Sequence, residues 1–112
     1  MFELKKAVIH AAGSVSNSID LEDYQFCGFQ MPAGWTAANI TILAATSRDG
    51  TYQPVYQYGI EVTEHVIAGK YCAVENPMAF ATLKYIKIRS GTETTPVNQA
   101  AEREIILAVR GE

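Results

Sequence analysis

The chain has 112 residues, 48% of them hydrophobic and 19% charged, which suits one folded domain over 1–112 and rules out both a disordered tail and a pair of separate cores. Nine lysines and arginines lie scattered among twelve acids for a net charge of -3, which argues against a nucleic-acid partner, because phosphate binding needs a clustered basic face. No membrane or export route is expected: the longest uncharged stretch, 24–47, is broken by Gly28, Pro32, Gly34 and Asn39, and the run Ala7-Val8-Ile9 after Lys5-Lys6 is too short for a signal-peptide core, so synthesis in a reducing cytoplasm is the expectation.

Eight valines, ten isoleucines and nine threonines against five leucines bias the chain toward strands. Taken in order, the first strand is predicted at 2–10, where Leu4, Lys6 and Val8 alternate with Lys5, Ala7 and Ile9. It is either an edge strand or an extended arm. Gly13-Ser14 breaks it. A short strand follows at 18–21 and another at 24–31, with Cys27, Phe29 and Met31 on one face and Phe26 and Gly28 on the other. Pro32-Ala33-Gly34 turns the chain. Residues 39–46 are apolar on both faces, as in a central strand. Ser47-Arg48-Asp49-Gly50 is the strongest turn signal, since Asp-Gly tolerates positive φ. Residues 51–58 form the return strand, with Pro54 favouring an edge. Further strands are predicted at 61–66, 70–74, 82–89 and 102–110, the last with Ile105, Leu107 and Val109 inward. A helical turn is predicted after Thr95-Pro96, with 100–104 extending it. About eight short strands in one small domain imply an all-β, antiparallel two-sheet sandwich, jelly-roll-like, with a partly open barrel as the alternative.

Catalytic and metal signals are weak. His10 and His65 lie far apart in sequence, and no Cys or His pair has zinc-ligand spacing. Gly13-Ser14-Val15-Ser16 lacks the frame of a nucleophile elbow. Asp20, Glu22 and Asp23 read as a solvated turn, because the remaining ligands of a calcium loop are missing. Cys27 and Cys72 lie in apolar runs and read as buried thiols, although their pairing stays open. Asn39-Ile40-Thr41 matches a glycosylation sequon but falls inside a predicted strand. No enzyme activity, cofactor or metal is therefore expected. The charge-free stretch 51–60 stands out instead. Tyr52, Tyr56 and Tyr58, with Gln53 and Gln57, supply amphipathic rings and amides suited to protein contact. Trp35 is either an exposed anchor or a plug for one end of the sandwich. The N-terminal residues Met1, Phe2 and Leu4 complete the candidate contact set, because an arm can add a strand to a neighbour's sheet.

The segments Gln30-Met31-Pro32-Ala33-Gly34-Trp35-Thr36-Ala37-Ala38-Asn39-Ile40-Thr41-Ile42, 47–56, Tyr85-Ile86-Lys87-Ile88-Arg89-Ser90-Gly91-Thr92 and Pro96-Val97-Asn98-Gln99 resemble a family of small bacteriophage β-sandwich proteins. The resemblance covers residues from about 19 to 110 and is closest to the capsid decoration, or staple, proteins of short-tailed enterobacterial phages. It implies a jelly roll on the outside of a virion shell, commonly a homodimer, holding neighbouring major-capsid subunits together without catalysis. The alternation of strand, Asp-Gly turn and aromatic strand is also similar to discoidin-type carbohydrate-binding sandwiches. That likeness implies a glycan-binding module on a phage tail or head, with a sugar stacked on Trp35 or a tyrosine.

Overall fold

A computed structural model describes residues 2–111, so the expected contact residue Met1 lies outside the described residues. The strands are β1 (Phe2–Ile9), β2 (Ile19–Asp20), β3 (Gln25–Gln30), β4 (Ile40–Ala45), β5 (Gln53–Pro54), β6 (Tyr56–Gln57), β7 (Ile60–Glu61), β8 (Thr63–Glu64), β9 (Tyr71–Ala73), β10 (Tyr85–Ser90) and β11 (Arg103–Arg110). One 3₁₀ turn, Pro77–Phe80, follows β9. All pairings between strands are antiparallel.

Two sheets form the sandwich. The first has the order β1-β11-β3-β9. The second has the order β2-β10-β4, and the outer edge of β4 is shared between β5, opposite Leu43 and Ala44, and β8, opposite Ile40 and Thr41. Counting β5 and β8 as one interrupted strand leaves eight strand positions. The chain then crosses between the sheets at every step except from β4 to β5/β8, which pair within the second sheet, giving the strand order of a jelly roll. The expected fold class is the observed one. Of the stretch expected at 2–10, Phe2–Ile9 forms the edge strand of the first sheet, paired over its whole length with β11 in unbroken register from Phe2↔Arg110 to Ile9↔Arg103.

The core lies between the sheets. Ile9, Phe26, Phe29, Ile105, Leu107 and Val109 of the first face Ile40, Ile42, Ile86 and Ile88 of the second, all fully buried. Phe26 meets Phe29 edge-on at 4.8 Å and Phe80 at 5.3 Å. The sequence pattern placed Phe26 and Phe29 on opposite faces. The register of β3 against β11 shifts between Ala108 and Val109, leaving Cys27 as an extra residue. That bulge re-phases the alternation and turns both rings inward. Cys27 and Cys72 are free thiols, partly rather than fully buried.

Other differences have local causes. No helix follows Pro96. The Gln99 amide, which would close the first helical turn on the Thr95 carbonyl, instead bonds the Gly13 carbonyl at 2.9 Å, and the Val97 amide bonds the Ser90 carbonyl at 2.9 Å, so tertiary contacts hold the segment extended. The 3₁₀ turn forms at Pro77 instead, where the Asn76 side chain caps the Met78 amide at 3.2 Å. The Ser47–Gly50 turn is present, closed by the Gly50 amide on the Ser47 carbonyl at 3.1 Å, but neither Asp49 nor Gly50 has positive φ. The positive-φ hairpin turn lies at Tyr58-Gly59.

Two carboxyl groups near the core differ in their surroundings. Asp20 accepts the Glu22 amide at 2.8 Å and pairs with Lys84 at 3.2 Å; the amide first, then Lys84 and Arg48, hold its carboxyl below the usual value. Glu64 on β8 points inward, is buried, and accepts the Glu75 amide at 3.0 Å. Burial raises its carboxyl above the ordinary value of 4.5 against the opposing pull of that amide. Because the folded state binds this proton more tightly than the unfolded state, Glu64 costs stability as pH rises above 4.5. Glu64→Gln, which keeps the acceptor and removes the charge, is expected to raise stability at pH 7 by about 1 kcal/mol. The gain should vanish below the unfolded-state value, where Glu64 is protonated in both states. Unfolding curves of both proteins at pH 4 and pH 7 check this; an equal difference at the two pH values would refute it.

Candidate functional site

Pro54 ends β5 and Val55 begins an excursion from the edge of β4. The Val55 amide bonds the Ile42 carbonyl at 3.1 Å, and the Val62 amide bonds the Val55 carbonyl at 2.9 Å. Both valines pack on the core and form the neck of a hairpin. Beyond the neck, β6 and β7 pair through Tyr56↔Glu61 and Gln57↔Ile60. The tip is Tyr58-Gly59, with φ of 55° and 74°. Two consecutive positive φ angles define a type I′ turn, which favours Asn or Gly at its first central position. Tyrosine there carries a backbone cost of order 1 kcal/mol.

The hairpin carries its large apolar groups outward. Tyr58 is 95% exposed and Ile60 72% exposed, and Tyr56 is about half exposed. Its base is held by a polar network. The Arg89 guanidinium on β10, itself buried, pairs with the Glu61 carboxylate and donates through Nε to Thr41 Oγ1 at 3.0 Å. The other Glu61 oxygen accepts the Glu93 amide at 3.1 Å. The Tyr56 hydroxyl donates to the Glu93 carboxylate at 2.6 Å, and that carboxylate raises the hydroxyl above its usual titration range, so it stays a donor at neutral pH. Thr41 donates to the Gly91 carbonyl at 2.8 Å. Gly91 has φ of 90°, and a Cβ there would lie 2.4 Å from the Thr95 carbonyl oxygen, so the loop carrying Glu93 requires glycine at that point. On the other side, the Asn76 amide reaches Gln57 Oε1 at 3.4 Å.

The candidate residues fall into two groups. Tyr56 and Tyr58 lie on the hairpin. Phe2 and Leu4, 52% and 55% exposed, lie on the outer face of β1. There Phe2 borders a shallow groove with Tyr71, Ala73, Gly28, Ala108 and Arg110. Of the other two candidates, Trp35 corrects the expectation and Tyr52 is less open than the hairpin tyrosines. Trp35 is not an exposed anchor: it is 5% exposed and its Nε1 donates to the Ala38 carbonyl at 3.1 Å, so the indole plugs the sandwich. Tyr52 is partly buried on the second sheet. Its hydroxyl meets Ser18 Oγ and donates to the Arg48 carbonyl at 2.8 Å, and the Lys87 ammonium covers its ring at 4.4 Å. Ile60 and Tyr71 were missed. Alternation across Tyr58-Gly59 would have exposed Ile60, but a tyrosine at the first turn position hides the hairpin signal, and 51–58 reads instead as one continuous strand.

The polar candidates are spread over the surface. His10 is exposed beside Glu102 at 3.3 Å, and His65 contacts Asn39 at 3.2 Å. The Asp20, Glu22 and Asp23 turn is tied to Lys84, Arg48 and Lys5. Among the described residues, no group of three or more His, Cys, Asp or Glu is arranged to hold a metal ion, and no helix is long and apolar enough to cross a membrane. Fold and site together define a jelly-roll sandwich that presents an apolar hairpin on a fixed polar base. Comparison with protein-family models, curated proteins and solved structures returned no match.

Proposed function

We propose that this chain is a non-enzymatic capsid decoration protein that binds the outside of a phage shell and clamps neighbouring major-capsid subunits, with the β6–β7 hairpin as its grip. The observation that carries the docking role is Tyr58: a large ring, almost wholly exposed, kept at a backbone position that disfavours it. An exposed aromatic on a strained turn gains nothing for folding and is accounted for by a partner that covers it. The network beneath fixes the hairpin before binding, which lowers the entropy lost on docking. The phage assignment rests on the sequence segments that resemble staple proteins. Many copies on a lattice would turn a modest contact into a durable one. The glycan reading loses Trp35, which offers no open ring face, and is left with the exposed tyrosines alone.

Two measurements test this. Mass spectrometry of purified virions should find the protein at a fixed high copy number per shell, and its absence from virions would end the reading. Tyr58→Asn should stabilise the isolated protein by about 0.5–1 kcal/mol, because asparagine suits the turn, while weakening binding to undecorated shells about tenfold. A variant that is more stable and binds as well as the parent would remove the hairpin from the contact.

A further inference from the structure

We infer that the free edge of β1 pairs with the same edge of a second copy, antiparallel about a two-fold axis at Leu4, joining the two four-stranded sheets into one. The inference stands on β1 alone and does not depend on what the hairpin binds.

The direction of the main-chain groups comes first. The Val8 amide donates to Asn17 Oδ1 at 2.7 Å and the Val8 carbonyl accepts the Asn17 amide at 3.3 Å, so the polar groups of Val8 point away from β11. Alternation along a strand gives Phe2, Leu4 and Lys6 the same outward direction, while Glu3, Lys5, Ala7 and Ile9 bond β11. Among the described residues, no partner satisfies the outward groups of Leu4 and Lys6. A regular edge, with no bulge or proline and with apolar Phe2 and Leu4 on its outer face, is a template for another strand.

The register follows from two independent constraints. Asn17 occupies Val8, so pairing is confined to Phe2 through Lys6. Pairing Leu4 with Leu4 of the second copy uses every free group: Phe2 then opposes Lys6, and about six main-chain hydrogen bonds form, two for each such pair. Charge selects the same register. It places Glu3 opposite Lys5 of the second copy, twice over by symmetry. A shift of one pleat either way sets Glu3 against Glu3 or Lys5 against Lys5, which is repulsive. The occupant that fits this edge in length, hydrogen bonding and charge is therefore another copy of the chain, through an isologous contact.

Sedimentation of the purified chain should show a concentration-dependent dimer at or below about 100 μM, and a monomer throughout that range would overturn the proposal. Leu4→Pro removes one outward N–H and no β1–β11 bond, so it should keep the fold and raise the dissociation constant at least about a hundredfold. An unchanged dimer in a folded Leu4→Pro variant would also overturn it. Cross-linking reads the register separately. With Cys27 and Cys72 replaced by serine, Leu4→Cys should form a covalent dimer on mild oxidation, because directly opposed hydrogen-bonded residues lie about 5.5 Å apart at Cα, within disulfide reach. Phe2→Cys alone and Lys6→Cys alone should not, whereas a mixture of the two should. A dimer that fails to cross-link at Leu4→Cys would refute the two-fold placed there.

Discussion

Arg89→Leu is expected to lower unfolding free energy by about 3 kcal/mol and to release the hairpin from the sandwich. The Arg89 and Glu61 side chains are only 11% and 12% exposed. Removing the guanidinium leaves the Glu61 carboxylate with the Glu93 amide but no cation, in a place where water cannot replace the lost partner. It also strips Thr41 of a donor at 3.0 Å. The hairpin can relieve the carboxylate only by swinging it toward solvent, which breaks the Glu93 contact and the tie to Tyr56. Exchange of the Val62 amide, which bonds Val55 at the neck, should therefore quicken more than that of core amides in β10. Arg89→Leu combined with Glu61→Leu should recover part of the loss, since no orphaned charge remains. Denaturant unfolding of the two single variants and the double variant checks the coupling. A loss below about 0.5 kcal/mol for Arg89→Leu would mean that the pair does not hold the hairpin.

Gln99→Leu is expected to cost about 4 kcal/mol, more than its small change in shape suggests. Gln99 has no exposed surface. Its Oε1 accepts the Thr36 amide at 2.8 Å and Arg103 Nε at 3.1 Å, and its Nε2 donates to the Thr36 carbonyl at 3.1 Å and Ser90 Oγ at 2.8 Å. All four bonding positions of the carboxamide are filled. The side chain ties the segment after Trp35 to the end of β10 and the start of β11. Leucine would fill the space and leave the Thr36 main-chain groups without partners in the interior. The single tryptophan lies next to this junction, so the fluorescence of Trp35 gives a direct reading of the unfolding midpoint. A midpoint within error of the parent would show that the surrounding groups find water or one another.

Both effects arise from long-range contacts that strand alternation does not encode. Arg89 falls on the face of its strand opposite Ile86 and Ile88, and nothing in the order of residues announces Glu61 as its partner 28 positions away. Gln99 follows Pro96 in a stretch that looks helical. Its burial depends on Thr36, which folds against it from 63 positions away. Trp35 is a similar case: exposed anchor and end plug were both consistent with the indole beside Gly34, and the packing of the loop chose the plug.

What the sequence determined by itself is the sheet content and the layering. Alternation at Ile105, Leu107 and Val109 specifies a strand with a defined inner face, because a side-chain period of two leaves it one way to bury its apolar half, while 39–46, apolar on both faces, specifies a central strand, and the spacing of turns separates them. The exposed apolar surface was legible only in part: Tyr56, Tyr58, Phe2 and Leu4 could be picked by type, Ile60 and Tyr71 could not. The tertiary structure alone decided which rings stay outside, that 51–66 breaks into four short strands of which the middle two form a projecting hairpin, and which edge groups lack partners. The reason is physical. Period-two patterning reports local burial, whereas a bulge at Cys27, a left-handed tyrosine at a turn and a buried arginine are settled by contacts between segments distant in the chain.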